Sequence, residues 1–231
     1  MAASERPIDS LNWAQGYIKN MPLYRLQKEI LNDAAKYFWR AAPWRWTLGS
    51  MPVVSLTNNN QQYAVTLPAD FFYIEQANLI ESNKITKELE IVPFIPLEGV
   101  KYGQPGQISV LGSGANGFYR VAPVPSGYVS FPQITGIYKK EYTELTETTI
   151  YSPGTLIFPD LYTDVFRACV LYYAYLYADD TRAGNVQFGG KNSTYTGQRA
   201  VMEAAIQEIR EREPMPLIDV QTAPNPRKEK D

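Results

Sequence analysis

The sequence predicts an α+β protein: a four-helix bundle with a β-rich insertion between helices 2 and 3 and an extended C-terminal arm. Three observations predict it. Apolar residues recur at helical spacing in two stretches before residue 42 and two after residue 158. Between them, from Met51 to Thr148, short alternating runs are punctuated by Pro and Gly. Beyond Glu213, Pro214, Pro216, Pro224 and Pro226 keep the chain out of helix. The predicted division is therefore 1–46 with 149–213 as the helical domain, 47–148 as the β-rich domain and 214–231 as the arm.

The first helix is predicted over residues 9–20, capped by Asp9 or Ser10, striped by Leu11, Ala14, Ile18 and Met21, and stopped by Pro22. The second runs from Leu23 to Ala41, with Leu26, Ile30, Leu31, Ala34, Tyr37 and Phe38 on one face and charges mainly on the other. It breaks at Pro43, and Trp39, Trp44 and Trp46 crowd the break. Such a cluster either plugs a junction between structural parts or presents an aromatic anchor to a partner.

In the β-rich part, Val53–Leu56 and Tyr63–Leu67 flank Asn58-Asn59-Asn60 and read as a hairpin. Further strands are predicted at 72–80, 89–92, 108–111, 118–121 and 134–142. Leu161–Ala178 is apolar nearly all round, which marks a central buried helix entered through Pro159-Asp160. Residues 184–197 read as a glycine-rich polar loop, and 195–213 as a charged fourth helix ended by Pro214. In the arm, Met215, Leu217, Ile218 and Val220 are more apolar than a free tail requires. A proline-stiffened segment loses less entropy on docking, so Pro214, Met215, Pro216, Leu217, Ile218 and Val220 are candidate partner-binding residues.

Composition narrows the function classes. The net charge of −2 lacks the positive excess that non-specific grip on nucleic acid needs. One cysteine, Cys169, allows no internal disulfide. The absence of histidine removes the commonest general base and transition-metal ligand. No transmembrane stretch or signal core is evident, so the sequon at Asn192 is expected to go unused. Tyr, with 17 copies, suits surfaces that become buried against partners.

Motifs that would carry chemistry fail on context. Gly112-Ser-Gly114-Ala-Asn-Gly117 fits GxGxxG, but Pro123 and Pro125 follow where the dinucleotide mechanism needs a helix, so a hairpin loop is expected. Residues 184–192 lack the Ser or Thr that a phosphate loop places on Mg²⁺. Glu141, Glu144, Glu147 and the Asp179-Asp180 pair lack the spacing of a cation cage. No catalytic, cofactor or metal site is predicted. A hydrolase using Glu141, Glu144, Asp160 and Asp164 and a carbohydrate- or peptide-binding module with a Tyr-rich β face are the competing classes.

The order of features is informative. Phe38-Trp39-Arg40-Ala-Ala-Pro43-Trp44-Arg45-Trp46 ends a helical pair. Tyr63–Phe71, Tyr119–Gly127, Ile137–Lys140 and Leu145-Thr146 follow, and Phe158-Pro159-Asp160-Leu161-Tyr162 opens the buried helix. Over about residues 8–213 the chain resembles the head-to-tail adaptor proteins of tailed bacteriophages, the group that includes tail tubular protein A of T7-like phages. The resemblance implies a structural virion protein that forms a ring, usually of twelve copies, beneath the portal. The arm and helices would meet the portal, and the β part would meet neighbours, the tail nozzle or fibres. DNA would leave through the ring without specific binding, and no membrane is involved. Synthesis in the host cytoplasm and a place in the virion neck go with it. Another virion ring protein, for head completion or tail termination, is the nearest alternative.

Overall fold

The computed structural model describes residues 4–18, 23–81, 84–97, 101–128, 132–156, 158–189 and 192–212. The chain divides into two compact units. One runs through Thr47 and resumes at Tyr142; the other is Leu48–Glu141.

The first unit carries α1 (Pro7–Gln15), α2 (Gln27–Arg40), α3 (Thr163–Tyr177) and α4 (Gly197–Arg212). Arg6 takes the N-cap position of α1, one residue before Pro7, and neither Asp9 nor Ser10 caps it. Proline suits that place because its missing N–H has no helical acceptor there anyway. Leu11, Ala14, Ile30, Leu31, Ala34 and Phe38 are buried, as their spacing predicts. In α3, Phe166, Cys169, Val170, Leu171, Tyr172, Ala174 and Tyr175 are all buried, which is the signature of a helix surrounded by neighbours. A salt bridge from Arg167 to Glu5, 3.0 Å, ties α3 to the segment before α1. Among the described residues no helix is long and apolar enough to cross a membrane.

The second unit is built from β1 (Leu48–Ser50), β2 (Val54–Ser55), β3 (Gln62–Val65), β4 (Phe71–Glu81), β5 (Lys84–Ile91), β6 (Tyr102–Gly103), β7 (Gln107–Leu111), β8 (Gly117–Ala122), β9 (Val124–Pro125) and β10 (Gln133–Lys140). Eight of these form one curled mixed sheet in the order β1-β10-β4-β5-β7-β8-β3, with β2 also paired to β10. Only the β5–β7 step in it is parallel. The sheet closes on Leu56, Tyr63, Ala77, Leu79, Leu89, Ile108, Tyr119, Val121 and Ile134, which form a separate apolar core. Within the first unit, β11 (Val186–Gly189) and β12 (Asn192–Tyr195) make an antiparallel hairpin where the sequence predicts a loop.

The four-helix bundle with a β-rich insertion does not stand. The dominant element is the eight-stranded sheet. The helices do not close a four-membered bundle either: α1, α2 and α4 each pack on α3, which acts as a hub. The physical reason lies in their faces. α4 buries only the stripe Met202, Ile206 and Ile209, and α1 is just nine residues long, so each satisfies its apolar face on one central partner. The predicted 53–67 hairpin is also corrected. The turn is real, with Asn59 at φ 61°, but β2 pairs with β10 and β3 with β8.

Candidate functional site: an aromatic pocket on α2

The helical unit carries an apolar pocket of about 220 Å³. One turn of α2 supplies Ala35, Phe38 and Trp39, which share a face at i, i+3 and i+4. Trp46 enters from the turn after α2. Tyr142, Thr143, Glu144 and Leu145 form a second wall, and Thr149, Thr155, Leu156 and Phe158 close the third.

Each wall is fixed by a specific contact. Phe38 meets Phe158 edge to face, with 5.5 Å between ring centres and planes 78° apart. Trp39 meets Tyr142 at 5.9 Å and 61°. Trp46 stacks flat on Trp44, 5.4 Å away and 7° from parallel, and touches Tyr162 at 5.1 Å. Trp44 lies beneath this layer, 3% exposed, and its Nε1–H donates to the Phe38 carbonyl at 2.7 Å. The Tyr142 wall is held by Asn32, whose Oδ1 accepts from the Tyr142 hydroxyl. Burial pushes the Tyr142 phenol up, and nearby Glu144 adds to it, so Tyr142 is a neutral donor throughout the physiological range.

The polar groups sit at the mouth and are already engaged. Glu144 pairs with Lys36 at 3.7 Å. The Thr155 hydroxyl donates to the Thr149 carbonyl at 3.1 Å, and Thr149 Oγ1 accepts from the Thr146 N–H at 2.7 Å. A pocket with flat apolar walls and satisfied polar groups binds an apolar side chain. It has no nucleophile–base pair for turning over a substrate. Among the described residues there is no group of three or more His, Cys, Asp or Glu side chains able to hold a metal.

Of the residues singled out from sequence, Trp39 and Trp46 line the pocket and Trp44 supports it from below. Pro214, Met215, Pro216, Leu217, Ile218 and Val220 lie outside the described residues. The GxGxxG run is the β7–β8 loop, and an added Cβ at Gly112 would meet the Asn116 carbonyl at 2.2 Å. The carboxylates do not converge: Glu147 pairs with Lys28 at 3.5 Å, Asp160 accepts from Ser4, and Asp164 faces Arg167. Sequence reasoning missed Asn32, Ala35, Tyr142 and Phe158 as pocket-forming residues. Ala35 and Phe38 carried a usable signal in their spacing; Tyr142 and Phe158 carried none, because loops brought them there.

Compared with families of known proteins, residues 10–223 match the SU10 adaptor protein family. No curated protein matches the chain in sequence.

Proposed function

Because the chain belongs to the SU10 adaptor protein family, a family of phage head-to-tail adaptors, we propose that it forms a closed ring joining the portal to the tail. Family membership makes it a structural protein of the virion neck that contacts other virion proteins. The finer reading is a ring of twelve copies made in the host cytoplasm. It docks beneath the portal, meets the tail nozzle or fibres on its other side, and lines the channel through which DNA leaves. Its role is contact, and no reaction is catalysed.

The family match over most of the chain carries this reading. Two further observations support it. A ring needs heterologous contacts, so each copy must offer two different surfaces, and two units with separate cores supply distinct ones. A net charge of −2 suits a channel that must let DNA slide past, since phosphate contacts would retard it. Within this reading the arm residues Pro214, Met215, Pro216, Leu217, Ile218 and Val220 seat on the portal.

The test is to mix the purified chain with portal rings and image the product by electron microscopy, with and without residues 214–231. A ring on the portal that is lost on deletion supports the proposal. A full-length chain that stays monomeric and ignores the portal overturns it.

A further inference from the structure

The β unit presents a rigid aromatic knob. After β5 the chain runs Val92-Pro93-Phe94-Ile95-Pro96-Leu97 across β7 and β8. The Val92 N–H donates to the Ile108 carbonyl at 2.9 Å. Arg120 on β8 donates through Nη1 to the Ile95 carbonyl at 3.1 Å, and the Gln61 side chain donates to the Pro96 carbonyl at 3.0 Å. Ile95 is driven into the unit, 3% exposed, while Phe94 and Leu97 are left 60% and 54% exposed. The Arg120 guanidinium lies 5.4 Å from the centre of the Phe94 ring. Two prolines, two side-chain clasps and a stacked cation hold this strap, so Phe94 is presented at low entropic cost. Phenylalanine and arginine are both enriched at protein interfaces, and an aromatic anchor filling a partner's pocket can carry much of the binding energy.

We propose that Phe94 of one copy inserts into the Phe38–Trp39–Trp46–Tyr142 pocket of the next copy in the ring. The inference rests on the ring reading above and adds the contact that closes it. Size agrees: a dry cavity of about 150 Å³ holds benzene, and this pocket measures about 220 Å³. Edge-to-face and offset contacts with four aromatic rings are available to a phenyl group there. Charge permits it, with Glu144 shared between Lys36 and an incoming cation. Arg120 travels with the knob, and Glu144, whose side chain is 71% exposed, stands at the mouth. Knob and pocket are different surfaces of the chain, so a contact made one way, from each copy to the next, is heterologous and propagates until a rotation closes it.

The test uses the full chain carrying Leu97→Cys and Thr143→Cys, assembled on portal rings and treated with a short bis-maleimide. Cys169 is fully buried and does not compete. A covalent ladder of adaptor multimers is expected, and adding Phe94→Ala should reduce its yield roughly thirty-fold, the loss of a typical hot spot. Because Phe94 is exposed, that variant should melt with the parent, which separates lost contact from lost fold. Rings on the portal without a ladder overturn the inference while leaving the ring reading intact. So do a crosslink confined to single chains, a crosslink only to portal, or a ladder indifferent to Phe94→Ala. Failure of the unsubstituted chain to form any ring on the portal overturns the ring reading, and this inference with it.

Discussion

Asn32 on α2 holds Leu145 by both of its backbone groups. Its Oδ1 accepts from the Leu145 N–H at 2.7 Å, and its Nδ2 donates to the Leu145 carbonyl at 3.0 Å. The same Oδ1 accepts from the Tyr142 hydroxyl at 3.0 Å. One amide side chain thus stands where a neighbouring strand would, and it fixes a whole wall of the aromatic pocket. Asn32→Ala leaves three groups without that partner and should lower stability by about 2–3 kcal/mol. Asn32→Asp keeps the acceptor but turns a second carboxylate oxygen onto the Leu145 carbonyl, so it should not restore the parent's stability. Urea unfolding at unchanged slope measures both. An unmoved midpoint for Asn32→Ala would mean the clasp contributes nothing.

That clasp also marks where the sequence stops being readable. The helices were legible because burial repeats with the helical period: Ile30, Leu31, Ala34 and Phe38 on α2, and an all-round apolar α3. Most strands were legible singly, and so was the Asn59 turn. What could not be read was pairing. β2 and β3 flank a good turn yet each chose a partner far along the chain, β10 and β8, because the buried side chains of the curled sheet, not the turn, set the register. The pocket was half legible for the same reason. Trp39 and Trp46 are conspicuous in sequence, but Asn32, Tyr142 and Phe158 meet them only through long-range packing.

Trp44 and Trp46 stack on one another but should respond differently to substitution. Trp44→Phe removes the indole N–H that satisfies the Phe38 carbonyl in the last turn of α2. That carbonyl keeps only the longer bond from the Ala41 N–H, 3.3 Å, and losing the indole bond while shrinking a buried ring should cost about 2 kcal/mol. Trp46 is only partly buried and lines the pocket, so Trp46→Phe should cost under about 1 kcal/mol while reshaping the opening. Chemical denaturation of the two variants side by side decides the order; equal losses would mean that the Trp44 hydrogen bond adds little.

The β unit should respond to alkaline pH in two opposed steps. Lys139 is 2% exposed, and burial holds its ammonium down to about 8, with Glu75 pulling the other way. Between that value and the unfolded 10.5, the unfolded chain binds more protons, so stability rises with pH across this window. Tyr138 acts in the reverse sense. Burial and its hydrogen bond to Asp70, 2.7 Å, raise its phenol to about 12. Its contribution is therefore whole below its unfolded value of 10.0 and is lost as pH climbs through about 12. Stability should climb from pH 8 towards 10 and then fall. Lys139→Met should erase the climb and leave the fall, as read from denaturation midpoints at half-unit pH steps. A climb that persists in the variant would assign it to another group.

Gly136 in β10 should be the least replaceable small residue of the sheet. Its strand pairs with β4 along almost its entire length, from Gln133 opposite Ile80 to Lys140 opposite Phe71. An added Cβ would lie 2.1 Å from the Gln76 carbonyl oxygen, 2.9 Å from the Ala77 Cα and 2.9 Å from the Met51 sulfur. The first two neighbours are backbone of the adjoining strand, which cannot rotate away as a side chain can. β10 and β4 would have to part, loosening a ladder that borders Ala77, Leu79 and Ile134 in the core. Gly136→Ala should therefore cost about 3 kcal/mol, comparable to severe overpacking, although alanine is only one carbon larger. Amide hydrogen exchange should localise the damage: protection should fall along 74–79 and 134–139, while α3 amides keep theirs. Undiminished protection in β4 and β10 would mean that the sheet can absorb a methyl group at its tightest point.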